Sequence, residues 1–415
     1  MDGTEEPSKQ PKRGLTRRQL FGWIAGGTAG AAVIGGGLLA AGRGSGPLAE
    51  PTSDAVITLP AVNGAYGVSI NKCTVKVSRG ALTSVALTDS ATGDTVAGTY
   101  NAEKTAWTAT GALDRGVKYT VVARAKDSSG VTAKKTADFT TVTPDASYIG
   151  TYAFDDGDQV GVGMPVSITF DKTIADKRAV QQAIGVTSTA GVAIVGCWLS
   201  DTRLDFRPEK YWPKGTKVTL KMATDGVKGA DRLTGVQQTS ASFSVGRSQV
   251  STVDNDTQTL TVVRDGSAYK TVAVSAGSDA HSTYNGIMVI SERYKEMDMD
   301  GDTVGFTGSD SYDIEDVPHA QRLTASGTFI HGNYWSPSSA FGQEGTSHGC
   351  IGIQDDQPTS SGSVSDDTTA AWFYANSMVG DVVVVKNSPS DTVSADNGLN
   401  GWNMSWSDWQ AGSAV

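Results

Sequence analysis

The chain has 415 residues, a formal net charge of −10 and an ordinary apolar content of 38%, enough for two to four globular domains. That acidic balance argues against a nucleic-acid binder, which needs a basic face. Glycine is abundant, at 49 residues, as expected of turn-rich β structure.

Residues 1–19 form a polar tail carrying Lys9, Lys12, Arg13, Arg17 and Arg18, and Leu20 to Gly42 then runs without a charge. That run is long enough to span a bilayer as a helix. The basic flank predicts an N-terminus in the cytoplasm and the remaining chain outside. Thr16-Arg17-Arg18-Gln19-Leu20-Phe21 is similar to a twin-arginine export signal. Two readings stay open. The mildly apolar, Gly/Ala-rich run suits a cleaved signal, and the lack of a clear A-x-A site favours an uncleaved anchor. Either one exports the residues that follow.

Residues 43–55 read as a flexible linker. A first strand-rich module is expected over 56–143. Cys73, Val75 and Val77 alternate with Thr74 and Lys76, and Tyr119, Val121, Ala123 and Ala125 alternate with mostly polar residues. Period two with one apolar side marks half-buried strands. A second module is expected over 144–246, where Val166, Ile168 and Phe170, and later Val218, Leu220 and Met222, show the same period. Gly116-Val117-Lys118-Tyr119-Thr120-Val121 is echoed by Gly215-Thr216-Lys217-Val218-Thr219-Leu220, and Ala137-Asp138-Phe139 by Ala241-Ser242-Phe243. Two such copies predict tandem immunoglobulin-like sandwiches. Trp198, Phe206, Tyr211 and Trp212 are expected in the second core or in its contact with the next domain. Neither module contains a histidine, so both read as spacers. Cys73 and Cys197 lie in separate modules and are expected as buried free thiols rather than a disulfide.

A third, β-rich region is expected over 247–390. It opens with a hairpin, Thr257 to Val263 and Tyr269 to Val274, turned at Asp265-Gly266. Further on come a short helix near Ala370–Met378 and a buried strand at Val382 to Val385. The polar, acidic stretch from Asp355 to Thr369 reads as a mobile surface insertion. A Trp-rich extension, 391–415, ends the chain.

Only four His and three Cys occur in the chain, yet His331, His348 and Cys350 fall within twenty residues. A thiol near an imidazole can be shifted toward the nucleophilic thiolate. Gly349 lets a carbonyl carbon approach the sulfur and leaves adjacent amides free to face an oxyanion. Cys350 as a small buried core residue, or as a zinc ligand with the two histidines, are the other readings. The first leaves the histidine clustering unexplained, and zinc-type pairs such as C-x-x-C are absent.

His331-Gly332, a loop, then Ser347-His348-Gly349-Cys350 resembles the signature of the L,D-transpeptidases of bacterial cell walls, and Trp402 to Trp409 resembles the C-terminal segment of actinobacterial members. The resemblance runs from about residue 55 to the end and is most specific at Ser-His-Gly-Cys. It implies a mainly β chain: two immunoglobulin-like sandwiches, a β-rich catalytic domain and a C-terminal extension, behind an N-terminal membrane or signal helix. It also implies an enzyme of the cell envelope that needs no cofactor or metal. Cys350 would attack a peptidoglycan stem peptide, release D-alanine as a thioester forms, and pass the acyl group to an acceptor stem. Carbapenem-type β-lactams would be covalent inhibitors. His331 would be the base, oriented by the Gly332 carbonyl. His348 and Ser347 would shape the site, and the Gly349 and Cys350 amides would bind the oxyanion. Tyr312, Ser326, Gly327 and Trp335 stand where the family has lid and substrate contacts. At Gly352 the family commonly has Asn, so an amide that would grip substrate is missing, and His281-Ser282 replaces a usual Thr-Pro. Competing functions are an L,D-carboxypeptidase or protein-to-peptidoglycan transferase using the same thioester, and a non-catalytic wall-binding protein.

Overall fold

The computed structural model describes residues 52–71, 73–305, 307–308, 311–359 and 363–415. The expected basic tail and Leu20–Gly42 helix lie outside them. Among the described residues no helix is long and apolar enough to cross a membrane.

Strands dominate, and they build the expected order of two sandwiches followed by a larger sheet. In the first sandwich, Lys118–Lys126 and Thr132–Thr141 pair antiparallel along nine residues each, with Ala65–Val68 added parallel to the latter. In the second, Lys217–Ala223 pairs with Gln238–Val245, and Gln159–Val160 adds parallel at the same place. The internal repeat is therefore one topology used twice. Its two leading glycines share a structural need: Gly116 and Gly215 turn the chain at φ +73° and +79°, where a Cβ would be strained.

The alternation in each module places Val75, Trp107, Tyr119, Val121 and Phe139 in the first core. Val166, Ile168, Phe206, Trp212, Val218, Leu220 and Phe243 lie in the second. That second core does not stop at the sandwich. Val289, Val382, Leu399 and Trp402 of the later region belong to the same apolar cluster. Tyr211 meets the Trp402 ring edge-on at 4.8 Å. Arg207, almost wholly buried, lies 4.8 Å from the Trp402 ring centroid and 4.3 Å from that of Trp409. The Trp-rich extension thus folds back onto the second sandwich. Its short helix, Trp406–Ala411, is capped by Ser405 and sends Trp409 Nε1 to the Val195 carbonyl at 2.9 Å. Cys73 and Cys197 are buried and free.

The last sheet has nine strands in the order Gly286–Val289, Val382–Lys386, Gln249–Asp254, Thr259–Arg264, Ser267–Ser275, Ile351–Gln354, Phe329–Asn333, Asp313–Arg322 and Glu292–Asp300. The Thr259–Arg264 and Ser267–Ser275 hairpin turns through Asp265 and Gly266 at φ +48° and +81°, the geometry that selects Asp-Gly. Helix Thr369–Ala375, capped by Thr368, covers one face and completes a core with Ile330, Ile351, Ile353 and Phe373. The stretch from Asp355 is not wholly a surface insertion, because Asp355 and Val364 are buried. Asp355 continues the inward period of Ile351 and Ile353, and its carboxylate has partners there.

Candidate active site

His331 and Cys350 are brought together by one ladder. Phe329–Asn333 runs parallel to Ile351–Gln354, with His331 opposite Gly352. Side chains alternate along a strand, so His331, Asn333 and Gly352 share one face, and Cys350, two residues before Gly352, leads onto it. The opposite face carries Ile330, Gly332, Ile351 and Ile353 into the core under the helix. A rigid strand thus holds the imidazole, and the turn before its neighbour holds the thiol.

His331 is buried, and its Nδ1 lies 2.8 Å from the Gly332 carbonyl oxygen. A carbonyl only accepts, so Nδ1 carries the proton and Nε2 keeps the lone pair. Trp335 stacks on the ring, with centroids 5.4 Å apart and planes 14° off parallel. Burial pulls the His331 pKa below its ordinary 6.5, partly opposed by the Gly332 carbonyl and the Asp355 charge. Burial pushes the Cys350 thiol up to about 11, with the Phe329 amide opposing. The sulfur lies 3.5 Å from the Gly327 carbonyl oxygen. Gly327 sits at φ +98°, and a Cβ there would meet Val304 at 2.5 Å, so this carbonyl owes its position to glycine.

The Ser347–Cys350 turn is closed by Ser347. Its hydroxyl donates to the Cys350 carbonyl at 2.6 Å and accepts from the Gly349 amide at 3.1 Å. The expected oxyanion role of that amide therefore needs correcting: the Gly349 N–H is already engaged by a hydroxyl within its own turn. Gly349 has φ +108°, so the turn needs glycine for a backbone reason separate from the approach of a carbonyl carbon. The His348 ring stacks on His281, at 4.9 Å and 23°, and Tyr312 is tilted against it, at 5.1 Å and 41°.

A cavity of about 140 Å³ opens over the thiol, lined by Tyr312, His331, Trp335, Ser347, His348 and Cys350, with Met299 and Ile314 forming an apolar wall. Burial pushes the Tyr312 hydroxyl up to about 12, with help from Cys350 and Asp300. Three expected substrate contacts do not line this cavity: Ser326, Gly352 and Gly327, whose carbonyl nevertheless meets the sulfur. Ser326 is exposed and held by Asn397, its amide donating to Asn397 Oδ1 at 2.9 Å. Gly352 lies within the ladder, packed under Asn333. Among the described residues no group of three or more His, Cys, Asp or Glu is arranged to hold a metal ion.

The profile of the family described as L,D-transpeptidase catalytic domain matches residues 248–385, which contain this whole constellation. That of the bacterial Ig domain matches residues 66–228. L,D-transpeptidase 2 of Mycobacterium tuberculosis is 32% identical over 395 residues, covering 92% of this chain and 93% of its own length. The chain belongs to the L,D-transpeptidase family. L,D-transpeptidase 5 of the same species is 31% identical, over 86% of this chain and 76% of its own. A solved L,D-transpeptidase structure in complex with imipenem is 27% identical, covering 57% of this chain and 97% of its own, with a TM-score of 0.47.

Around this L,D-transpeptidase site, His281 is marked in the sequence only as a departure from the usual Thr-Pro, and His319 and Asp355 lie outside the motif. His281 reaches His348 from a distant loop. His319 and Asp355 form a buried pair, Nδ1 to Oδ2 at 2.7 Å, behind the His331 strand. The Asp355 signal was available in the period of Ile351, Ile353 and Asp355, but the acidic run that follows masks it.

Proposed function

We propose that this L,D-transpeptidase is an exported enzyme that cross-links peptidoglycan stem peptides through a thioester on Cys350. The observation that carries the reading is one cavity lined by both a buried Cys350 thiol and a His331 ring whose Nδ1 is committed to the Gly332 carbonyl. His331 Nε2 takes the thiol proton as sulfur adds to the carbonyl carbon of the third stem residue. The oxyanion that forms is met by the Cys350 amide. On collapse, the imidazolium returns its proton to the departing nitrogen, the C–N bond breaks, D-alanine leaves and the thioester remains. An acceptor amine then attacks, loses a proton to His331, and expels the thiolate as the new amide forms; the imidazolium reprotonates the sulfur. With the thiol pushed up and the imidazole pulled down, both groups rest uncharged, and proton transfer accompanies attack. The apolar wall of Met299 and Ile314 suits exclusion of water from the thioester. Export rests on Arg17-Arg18 and the uncharged Leu20–Gly42 run.

A carbapenem presents a strained acyl carbonyl to the same thiol. Intact-mass spectra of the wild type are expected to show a single adduct, and Cys350→Ala none. An adduct of equal yield on Cys350→Ala would move the nucleophile elsewhere.

A further inference from the structure

The rear of the His331 strand carries chemistry that the transfer reaction above does not use. Gly332 faces that side, and a Cβ built on it would lie 2.0 Å from Asp355 Oδ2. The carboxylate thus occupies the space a side chain at position 332 would fill, in direct contact with the peptide whose carbonyl orients His331. Asp355 is held there from three directions. His319 Nδ1 lies 2.7 Å from Oδ2, the Thr368 hydroxyl donates to Oδ1 at 2.6 Å, and the Asp356 amide donates to the same oxygen at 2.9 Å. The side chains of His319 and Asp355 are 2% and 0% exposed. His319 adopts φ +55°, a left-handed conformation that a non-glycine residue takes only where its surroundings enforce it.

We propose that Asp355, gripped by His319 and Thr368, is a positioning residue for His331. It braces the Gly332 peptide from behind and sets a negative charge beside the imidazolium that forms when Cys350 gives up its proton. This rests on His331 being the base of the reaction proposed above. His331, His319 and Asp355 are all buried, so a carboxylate acting through one peptide unit is weakly screened. The Asp355 charge opposes the downward pull of burial on His331, in the direction the proposal requires. The other titratable groups nearby are few. The Tyr374 ring of the covering helix lies 5.2 Å from the His319 ring and also carries the Arg293 guanidinium at 4.0 Å. Cys350, His348 and Tyr312 line the pocket with His331.

A buried pair that merely pinned the acidic segment would affect stability without touching the titration of His331, and this separates the two roles. The chain has four histidines, so ring-labelled full-length protein gives four signals to follow against pH. Asp355→Asn keeps the shape and removes the charge. The His331 signal is expected to titrate at lower pH than in the parent. The acid limb of carbapenem acylation should move down with it, and its plateau should fall about tenfold, the equivalent of one pKa unit in the base. Parental titration of His331 with an unmoved acid limb overturns the proposal. Should Asp355→Asn not fold, His319→Gln and His319→Ala decide. Gln retains an N–H toward Asp355 and is expected to acylate like the parent, whereas Ala frees the carboxylate and loses about tenfold; equal rates for the two overturn it. Cys350→Ala is run alongside. Acylation of that variant sinks the reaction itself, whereas a silent Cys350→Ala beside a parental Asp355→Asn sinks only the role of Asp355.

Discussion

Burial acts on the two reacting groups in opposite directions. It pushes the Cys350 thiol up to about 11 and pulls the His331 imidazole below 6.5, because each group loses hydration of its charged form. Between those limits both are neutral, and the site cannot rely on a standing thiolate. The sign for activity follows. As pH falls, His331 protonates and can no longer accept the thiol proton, so acylation declines on an acid limb lying below 6.5. As pH rises toward about 11, the thiol ionises unaided and the base becomes dispensable. His331→Ala is therefore expected to lose about two to four orders of magnitude in acylation rate at pH 7. That deficit should shrink tenfold per pH unit as the rate is followed to pH 9.5. A variant with a flat profile and near-parental rate would remove His331 from the reaction. His348 differs because its ring is held against both His281 and Tyr312, so His348→Ala should alter substrate fit and leave the acid limb in place.

The unit of construction is the parallel pair Phe329–Asn333 and Ile351–Gln354, which sorts reacting side chains to one face and supporting ones to the other. Gly352 is part of that sorting. A Cβ at 352 would lie 2.9 Å from Asn333 Nδ2 and 3.1 Å from Asn333 Cβ, so the ladder has room for one amide side chain and Asn333 supplies it. Asn333 is in turn fixed, its Nδ2 donating to Ser336 Oγ at 3.1 Å and its Oδ1 accepting from the Ser336 amide at 2.9 Å. Gly352→Asn is expected to cost about 1–3 kcal/mol through overpacking, measured by urea unfolding. Adding Asn333→Ala should recover most of that loss, and strict additivity of the two changes would refute the shared space. The example also shows what the sequence made legible. The thiol, its imidazole and the Asp265-Gly266 hairpin were readable because their signals are local: scarce residue types close together, a turn that demands positive φ, a strand of period two. Asn333 beside Gly352 was hidden because it depends on ladder register. Asp355 reads as surface because its partner, His319, lies in another strand and acidic neighbours dominate the composition around it. Arg207 among the C-terminal tryptophans was out of reach for the same reason, its contacts being made across the whole chain.

At the scale of the molecule, the second sandwich and the catalytic sheet share one apolar cluster, whereas the first sandwich keeps a core of its own that takes in Val236 of the second. The seam is closed by the stretch around Gly161. The Gly161 amide donates to the Val379 carbonyl at 2.8 Å, and the Gly163 amide to the Gly380 carbonyl at 2.9 Å. The Trp402 indole of the C-terminal extension donates to the Gly163 carbonyl at 2.7 Å. Beside the seam, Arg247 grips Asp381 at 2.8 Å, with both side chains largely buried. A Cβ at Gly161 would lie 2.2 Å from the Asp381 nitrogen and 2.3 Å from the Gly380 carbonyl carbon. Both are backbone atoms, so no rotamer change relieves the clash; the two chain segments must separate. Gly161→Ala is expected to cost about 3 kcal/mol, the upper part of the usual range for overpacking. The shared cluster also dictates where that cost falls. Removing the seam exposes Val289, Val382 and Trp402 together with Val162 and Trp212, so the sandwich core and the sheet face packed on it open together. Scanning calorimetry is expected to show the second sandwich and the catalytic sheet melting in one transition that Gly161→Ala lowers, while the transition of the first sandwich stays put. A variant in which only a sandwich transition moves, with the catalytic sheet melting as in the parent, would mean that the two regions are merely adjacent and that the transpeptidase domain stands without its spacer.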